Sequence, residues 1–509
     1  MYGFSFDLST VLVFLTTFLF SLLCVHSRSE SERGSKRHEK MPPGPRGLPV
    51  FGNLLSLGTN PHLTFVEMAK QFGSVFTIRI GSEPIVVLNG YKAVKDTLIA
   101  KSLLFAGRPK MPLTEELTKG KGIVTADYGD TWKTQRKFTL KTLKEYGMGR
   151  PAMEKNITKE MECLTKAFSE KKLQPFEVDK YLQVSIANIV CSVTFGSRYE
   201  YGDPQLLTLL HLIDRFCEIG PASTMVNFFP FLKHVPFGPV KEVFTNNEIM
   251  TQYVNSVIRQ HGETIDYNRL RDFIDAYMDE IRKQNNNDTN KETSFNEEYL
   301  FYLLNDLFFA GTETMSVTLR WGLLYMIAFP DIQKKVQDEI DAVVGADRLP
   351  SLADKPHLPY TEAAMLEIQR MANITALTFP HKTLDDVQLY DHVIPKDTTV
   401  FVNLYSVHVD ETQFPEPDKF DPGRFLNENG RVKQNPALLA FSAGRRRCPG
   451  EELATSELFL FFTGLLQRFS FQNPPGSPQP TLEKVFGISL VPHPYKVVAV
   501  PRSGDIPAH

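Results

Sequence analysis

Phe441-Ser442-Ala443-Gly444-Arg445-Arg446-Arg447-Cys448-Pro449-Gly450-Glu451 is the stretch on which the reading of this chain turns. A thiolate keeps its charge beside cations or at a helix N-terminus. Three arginines precede Cys448, and Pro449 suits the first position of a helix, so the cysteine is set up as a metal ligand. Gly444 and Gly450 permit a tight loop and the close approach of a flat partner. From Glu451 onward, Leu453, Leu458, Leu460, Phe461, Leu465 and Leu466 mark the apolar face of a helix. By itself the stretch also fits a structural cysteine in an arginine-rich turn.

The pattern Phe-x-x-Gly-x-Arg-x-Cys-x-Gly resembles the haem-binding loop of the cytochrome P450 family, and Phe441, Gly444, Arg446, Cys448 and Gly450 meet its fixed positions. The resemblance implies a mainly α fold with a small β region and a haem b held by the Cys448 thiolate. It implies Arg446 on a haem propionate, through a charge-assisted bond. Ser442 stands where glycine is commoner in the family, which would stiffen the loop.

At 509 residues the chain exceeds the usual size of one domain, yet no low-complexity boundary divides its body. We read a membrane-anchor segment at 1–27, a basic and proline-rich linker at 28–49, and one large domain at 50–509. A net charge of -3 gives no call for nucleic acid. The five cysteines are widely scattered, which argues against a disulfide scaffold and for a reducing compartment.

Leu8 to Val25 is almost wholly apolar, and about 18 such residues span a bilayer as a helix. Asp7 precedes this run, and Arg28, Arg33, Lys36, Arg37 and Lys40 follow it, which puts the body on the cytoplasmic side. A cleaved signal peptide is the rival, but its basic leading segment is missing. Pro42-Pro43-Gly44-Pro45-Arg46-Gly47-Leu48-Pro49 reads as a stiff spacer. The resemblance places such a protein in the endoplasmic reticulum membrane, with its catalytic domain in the cytosol.

Val75 to Ile80 and Ile85 to Leu88 read as a β-hairpin, and Met111 to Lys121, without periodicity, as a long loop lining the site. Trp132 and Arg136 share one face of the next helix. By resemblance they reach a propionate, and Arg108 is counted among the cofactor-binding residues. Lys133, Lys137, Lys141 and Lys144 nearby suit docking of an acidic electron donor. The apolar, proline-broken stretch from Asn227 to Leu232 resembles the lid of the family's substrate channel. Asn285 to Thr289 reads as a polar loop.

Glu297 to Phe329 reads as a long apolar helix interrupted by Ala310-Gly311-Thr312-Glu313-Thr314. Small Ala310 and Gly311 admit another body, and Thr314 can bond to the preceding turn. The motif resembles the family's oxygen-binding groove, with Glu313 and Thr314 as the acid and alcohol that relay protons. Glu367 and Arg370, with Arg424, resemble the family's structural network. Leu377 and Phe379 lie on a passing strand that ends in His381, a propionate ligand by resemblance. Phe486-Gly487-Ile488 resembles the last substrate loop. Phe309, Ala310, Leu377, Phe379, Phe486 and Ile488 then form an apolar lining suited to a lipophilic molecule: long-chain fatty acid first, steroid second, foreign compound third.

The activity implied is a monooxygenase. One atom of O2 enters a C–H bond and the other leaves as water, with electrons from NADPH-cytochrome P450 reductase and with cytochrome b5 as a further donor. No dinucleotide fingerprint is found in the chain itself. Two rivals share the haem: a haem-thiolate isomerase acting on peroxides without a reductase, and a haem-binding sensor without turnover.

Overall fold

The computed structural model describes residues 40–146, 151–234, 238–287 and 293–502, together with 17, 18 and 21. Apart from those three positions, the apolar run at 8–25 lies outside the described residues, as do Arg28, Arg33, Lys36 and Arg37. Among the described residues, no helix is long and apolar enough to cross a membrane. The chain divides into two compact units, Met1–Pro109 with Leu377–Ser406, and Lys110–Ala376 with Val407–His509. Composition shows no boundary because the first unit is completed by a segment from far down the chain.

The first unit is built on a four-stranded sheet. β1 (Val75–Ile80) and β2 (Glu83–Asn89) form the expected hairpin, which turns through Gly81 at φ 62°. The late segment supplies β3 (His381–Lys382), β4 (Val387–Leu389), β5 (His392–Ile394) and β6 (Thr399–Asn403). β6 runs parallel to β2, with Ile85 opposite Thr399 and Asn89 opposite Asn403, while β3 is antiparallel to β6. β4 pairs with β5. With a partner on each side, β2 buries Ile85, Val86, Val87 and Leu88, so it reads as an unbroken apolar run.

The proline segment is no free spacer. Thr77 donates its N–H to the Pro43 carbonyl at 2.8 Å, a Cβ on Gly44 would collide with the Thr77 carbonyl, and Asn53 Nδ2 donates to the Arg46 carbonyl at 3.2 Å. Prolines lack an N–H but keep their carbonyls. The stretch can therefore serve the open side of edge strand β1 without leaving donors of its own unmatched.

The second unit is mainly helical. It contains α1 (Pro112–Thr118), α2 (Asp130–Glu145), α3 (Pro151–Ser169), α4 (Asp179–Thr194), α5 (Pro204–Ser223) and α6 (Pro239–Thr264). It continues with α7 (Phe273–Asn287), α8 (Glu297–Ala328), α9 (Pro330–Val343), α10 (Pro359–Ala372) and α11 (Glu451–Arg468). Two expected loops are corrected. Residues 112–118 are helical because Pro112 opens the turn, Glu115 N–H reaches the Met111 carbonyl at 2.8 Å, and left-handed Lys119 closes it. Asn285 to Asn287 finish α7, and Asp288 and Thr289 lie outside the described residues.

α8 begins where its signals say. Asn296 Oδ1 accepts the Tyr299 N–H at 2.9 Å, and Glu297 and Glu298 sit in the positive first turn. Its residues are buried on all sides over most of its length, as expected of a helix at the centre of a core.

Glu367 on α10 is fully buried and holds three partners. Arg370 grips it through two bonds of 2.7 and 2.8 Å, Arg424 Nε donates at 2.9 Å, and Asp421 N–H donates at 2.9 Å. The guanidinium groups continue to the carbonyls of His408, Pro415 and Lys419, tying α10 to the chain that approaches Cys448. Removing one partner of a buried pair costs about 3–5 kcal/mol. Glu367→Gln should therefore lower the unfolding free energy by roughly that amount and reduce bound haem. A denaturation midpoint close to wild type would show that these bonds do not hold the segment.

Candidate active site

The cysteine loop is shaped by its backbone. Residues 444–446 form one 3₁₀ turn, Cys448 N–H donates to the Phe441 carbonyl at 3.0 Å, and Gly444 takes φ 71°. Gly450 is the N-cap of α11, so Pro449 precedes the helix and does not open it. Gly450 has a negative φ, and a Cβ there would lie 3.9 Å from Cys448 Sγ. Ser442 takes φ 58°, a conformation that suits glycine, and its buried Oγ has no partner among the described residues.

Cys448 is exposed at the surface of this cradle. Its sulfur nevertheless lies among enough protein that burial pushes the thiol up, while the Gly450 N–H, Arg136 and Arg447 pull it down. The arginine effect read from sequence is thus outweighed. Arg447 is shared with Glu451 through two 2.6 Å bonds. A bound metal would favour the thiolate, because it deprotonates a coordinating thiol.

Trp132 and Arg136 on α2 lie against Arg446. Both guanidinium groups lie over the Trp132 ring, Arg446 at 4.2 Å and Arg136 at 5.4 Å from its centroid. The Trp132 N–H donates to the Ile123 carbonyl at 3.0 Å, Arg446 donates to the Ala126 carbonyl at 2.8 Å, and Arg136 donates to the Arg447 carbonyl. Burial pulls Arg446 down to about 10 and lowers Arg136 as well. Since arginine stays charged in proteins, these shifts mark a place where an anion is favoured.

The oxygen-groove motif lies mid-way along α8. Ala310 is exposed and Thr314 half-buried, a hollow in an otherwise buried helix. Gly311 serves packing instead of access, because a Cβ there would stand 2.8 Å from Val190 of α4. Thr314 Oγ1 donates to the Ala310 carbonyl at 2.7 Å. Glu313 is buried, and its carboxyl is pushed up to about 7, chiefly by burial and then by Asp214, with Arg320 and the Cys217 thiol acting against the rise. An acid that titrates near neutral pH is suited to proton transfer.

Phe309 and Ile488 both pack on α5. Phe309 meets Phe216 edge-on at 5.3 Å, and a Cβ on Gly220 would stand 2.7 Å from Ile488 Cδ1. Phe486 ends β7 (Lys484–Phe486), just before the turn into β8 (Leu490–Pro492). Asn227 to Leu232 runs from the end of one short 3₁₀ turn into the next, with Phe231 67% exposed and Phe229 buried between the turns. In the first unit, Arg108 donates to the carbonyls of Phe379 and Pro380 at 3.1 and 3.0 Å. His381 Nδ1 donates to the Phe105 carbonyl at 2.7 Å. Leu377 bridges to Asn403, and Phe379 is 44% exposed.

Asp306 escaped the sequence reading. One turn before Ala310, it accepts the N–H groups of Ile123 and Val124 at 2.6 and 3.1 Å, and burial pushes it up to about 6. An acid inside an apolar helix was the available signal. The residues of the second unit fit a haem: an exposed Cys448, a hollow on α8, and a buried and a half-buried cation, Arg446 and Arg136, suited to propionates. Cys448, Arg446, Arg136 and Phe441 could hold it.

Comparison with known proteins points the same way. Residues 42–499 match the family described as Cytochrome P450. Cytochrome P450 2U1 of Mus musculus is 37% identical over 483 residues, which cover 91% of this chain and 91% of that protein. Cytochrome P450 2D15 of Canis lupus familiaris is 41% identical over 488 residues, 94% of this chain and 96% of that one. Vitamin D(3) 25-hydroxylase of Sus scrofa is 40% identical over 477 residues, 92% and 95% of the two chains. With nearly its whole body matched, this chain belongs to the cytochrome P450 family of haem-thiolate monooxygenases.

Proposed function

We propose that the protein hydroxylates a lipophilic small molecule, with Cys448 as the axial thiolate and Arg446, Arg136, Trp132, Arg108 and His381 serving the haem propionates. The haem, when bound, supplies the activation of O2. The chain's own part is to hold the haem, to exclude water with Phe309, Ala310, Leu377, Phe379, Phe486 and Ile488, and to deliver protons from Glu313 to Thr314 Oγ1. The observation that carries this reading is the hollow at Ala310 and Thr314 in the otherwise buried α8, with the buried carboxyl of Glu313, pushed up to about 7, on the adjoining residue. A peroxide isomerase has no use for a proton supply there.

Steroids and long-chain fatty acids suit the apolar and aromatic lining, and the name of the porcine relative supports a substrate of sterol size. Electrons come from NADPH through a separate reductase, with cytochrome b5 as a further donor, at the cytosolic face of the endoplasmic reticulum. Lys137 and Arg445 are exposed, and exposed Lys133 is paired with Asp130 at 2.9 Å, so Lys137 and Arg445 carry most of the charge offered to a reductase.

Replacing Cys448 by alanine should abolish the red-shifted Soret band of the reduced carbon monoxide complex. An unchanged band would remove Cys448 as the ligand. Thr314→Ala should keep that band and substrate binding while product formed per NADPH oxidised falls sharply, since positioned proton transfer is worth about a hundredfold or more. Coupling equal to wild type would remove Thr314 from the mechanism. Reversing the charge of Lys137 and Arg445 should slow reductase-driven turnover and flatten its salt dependence. Peroxide-driven turnover should be spared, and equal losses in both assays would mean that the site itself was damaged.

A further inference from the structure

In the second unit, α6, α7 and the opening turns of α8 border a cleft of about 620 Å³. Pockets that take drug-sized molecules hold about 300–1,000 Å³. The floor of the cleft is apolar. Ile258 of α6, Met278 of α7, and Phe301 and Tyr302 of α8 are all buried there, and the two aromatic rings meet edge-on at 4.9 Å. Gly262 keeps the α6 wall bare. An added Cβ there would meet only Met278 Cε, at 3.9 Å, so packing does not require the glycine, and glycine is a poor helix former. What Gly262 provides is open space.

Tyr302 is 8% exposed, yet its hydroxyl makes no hydrogen bond to any described residue. It lies near Lys119 and Glu298 at the rim of the cleft. A buried tyrosine O–H ordinarily has a partner, so this one is a donor that lacks its acceptor. The rim carries no net charge. Glu298 is shared by Lys119 and Lys121 at 2.8 and 2.6 Å, and Arg259, Glu263 and Glu297 complete three cations and three carboxylates. An ion of either sign would meet its own charge here and lose hydration over an apolar floor. An uncharged molecule faces neither cost. We propose that the cleft is a second binding site, for an uncharged lipophilic molecule of sterol size. Its carbonyl or hydroxyl oxygen accepts the Tyr302 O–H while its rings lie on Phe301, Met278 and Ile258. None of these side chains serves the haem or Thr314, so the site stands if that reading falls.

Equilibrium dialysis of the haem-loaded protein with tritiated progesterone provides the test. Wild type should bind one molecule more than Gly262→Leu, whatever the haem pocket itself takes up, because the leucine enters the cleft. The reduced carbon monoxide band should be the same in both. Tyr302→Phe should keep the extra molecule but raise its Kd by about two- to tenfold, the worth of one hydrogen bond. Pregnenolone sulfate, a similar skeleton with an added charge, should show no bound molecule that Gly262→Leu removes. Equal progesterone stoichiometry in wild type and Gly262→Leu would overturn the site. Should the leucine variant fail to hold haem, Tyr302→Phe decides, and an unchanged Kd for every bound progesterone would overturn the assignment. A sulfate ester that is bound by wild type and lost in Gly262→Leu would overturn the uncharged class. If Thr314→Ala stays coupled while the extra progesterone is bound, the role given to Thr314 falls and the cleft remains.

Discussion

Four residues, Ile123 to Ala126, carry the junction on which the second unit's site depends. The N–H groups of Ile123 and Val124 end on the carboxylate of Asp306, inside the central helix. The carbonyls of Ile123 and Ala126 receive Trp132 and Arg446, the latter from within the cysteine loop. Buried backbone groups must be matched, so this short segment cannot shift without leaving donors or acceptors stranded on two elements at once. The helix that would face oxygen and the loop that would hold iron are thereby held to one strip of backbone.

The strip also explains why positive charge gathers where it does. Arg446 is buried and lies against the Trp132 ring, with Arg136 over the same ring. Carbonyl dipoles partly balance these cations, and a dianionic ligand would complete the balance. Affinity for such a ligand is arranged before it arrives, because the cations are held by the fold and not gathered by the ligand.

Much of this was legible in the order of residues. The spacing from Phe441 to Gly450 and the capped start of the helix at Asn296 are local signals, and local signals survive in a linear string. The hairpin was legible because Gly81 marks its turn. What stayed hidden depends on partners distant in sequence. Gly311 looked like an opening, yet its missing side chain answers Val190 more than a hundred residues earlier. The arginines before Cys448 looked like its counter-charges, but Glu451 engages Arg447 and burial outweighs what remains. The division into two units was invisible because strands far apart in the chain share one sheet. The helix at 112–118 was missed for another reason: a segment of seven residues is too short to display a period.

Ser442 has a consequence for the reversibility of cofactor capture. A side chain in the left-handed region costs about 1–2 kcal/mol, and here the hydroxyl is buried without a described partner as well. Both penalties belong to one loop geometry and vanish in any relaxed alternative. The loop holds this shape through bonds of its own, the Ser442 N–H on the Leu439 carbonyl at 2.9 Å and the Cys448 N–H on the Phe441 carbonyl at 3.0 Å. The cost is therefore met in folding and not in the capture of the haem: the cradle is set before its occupant arrives.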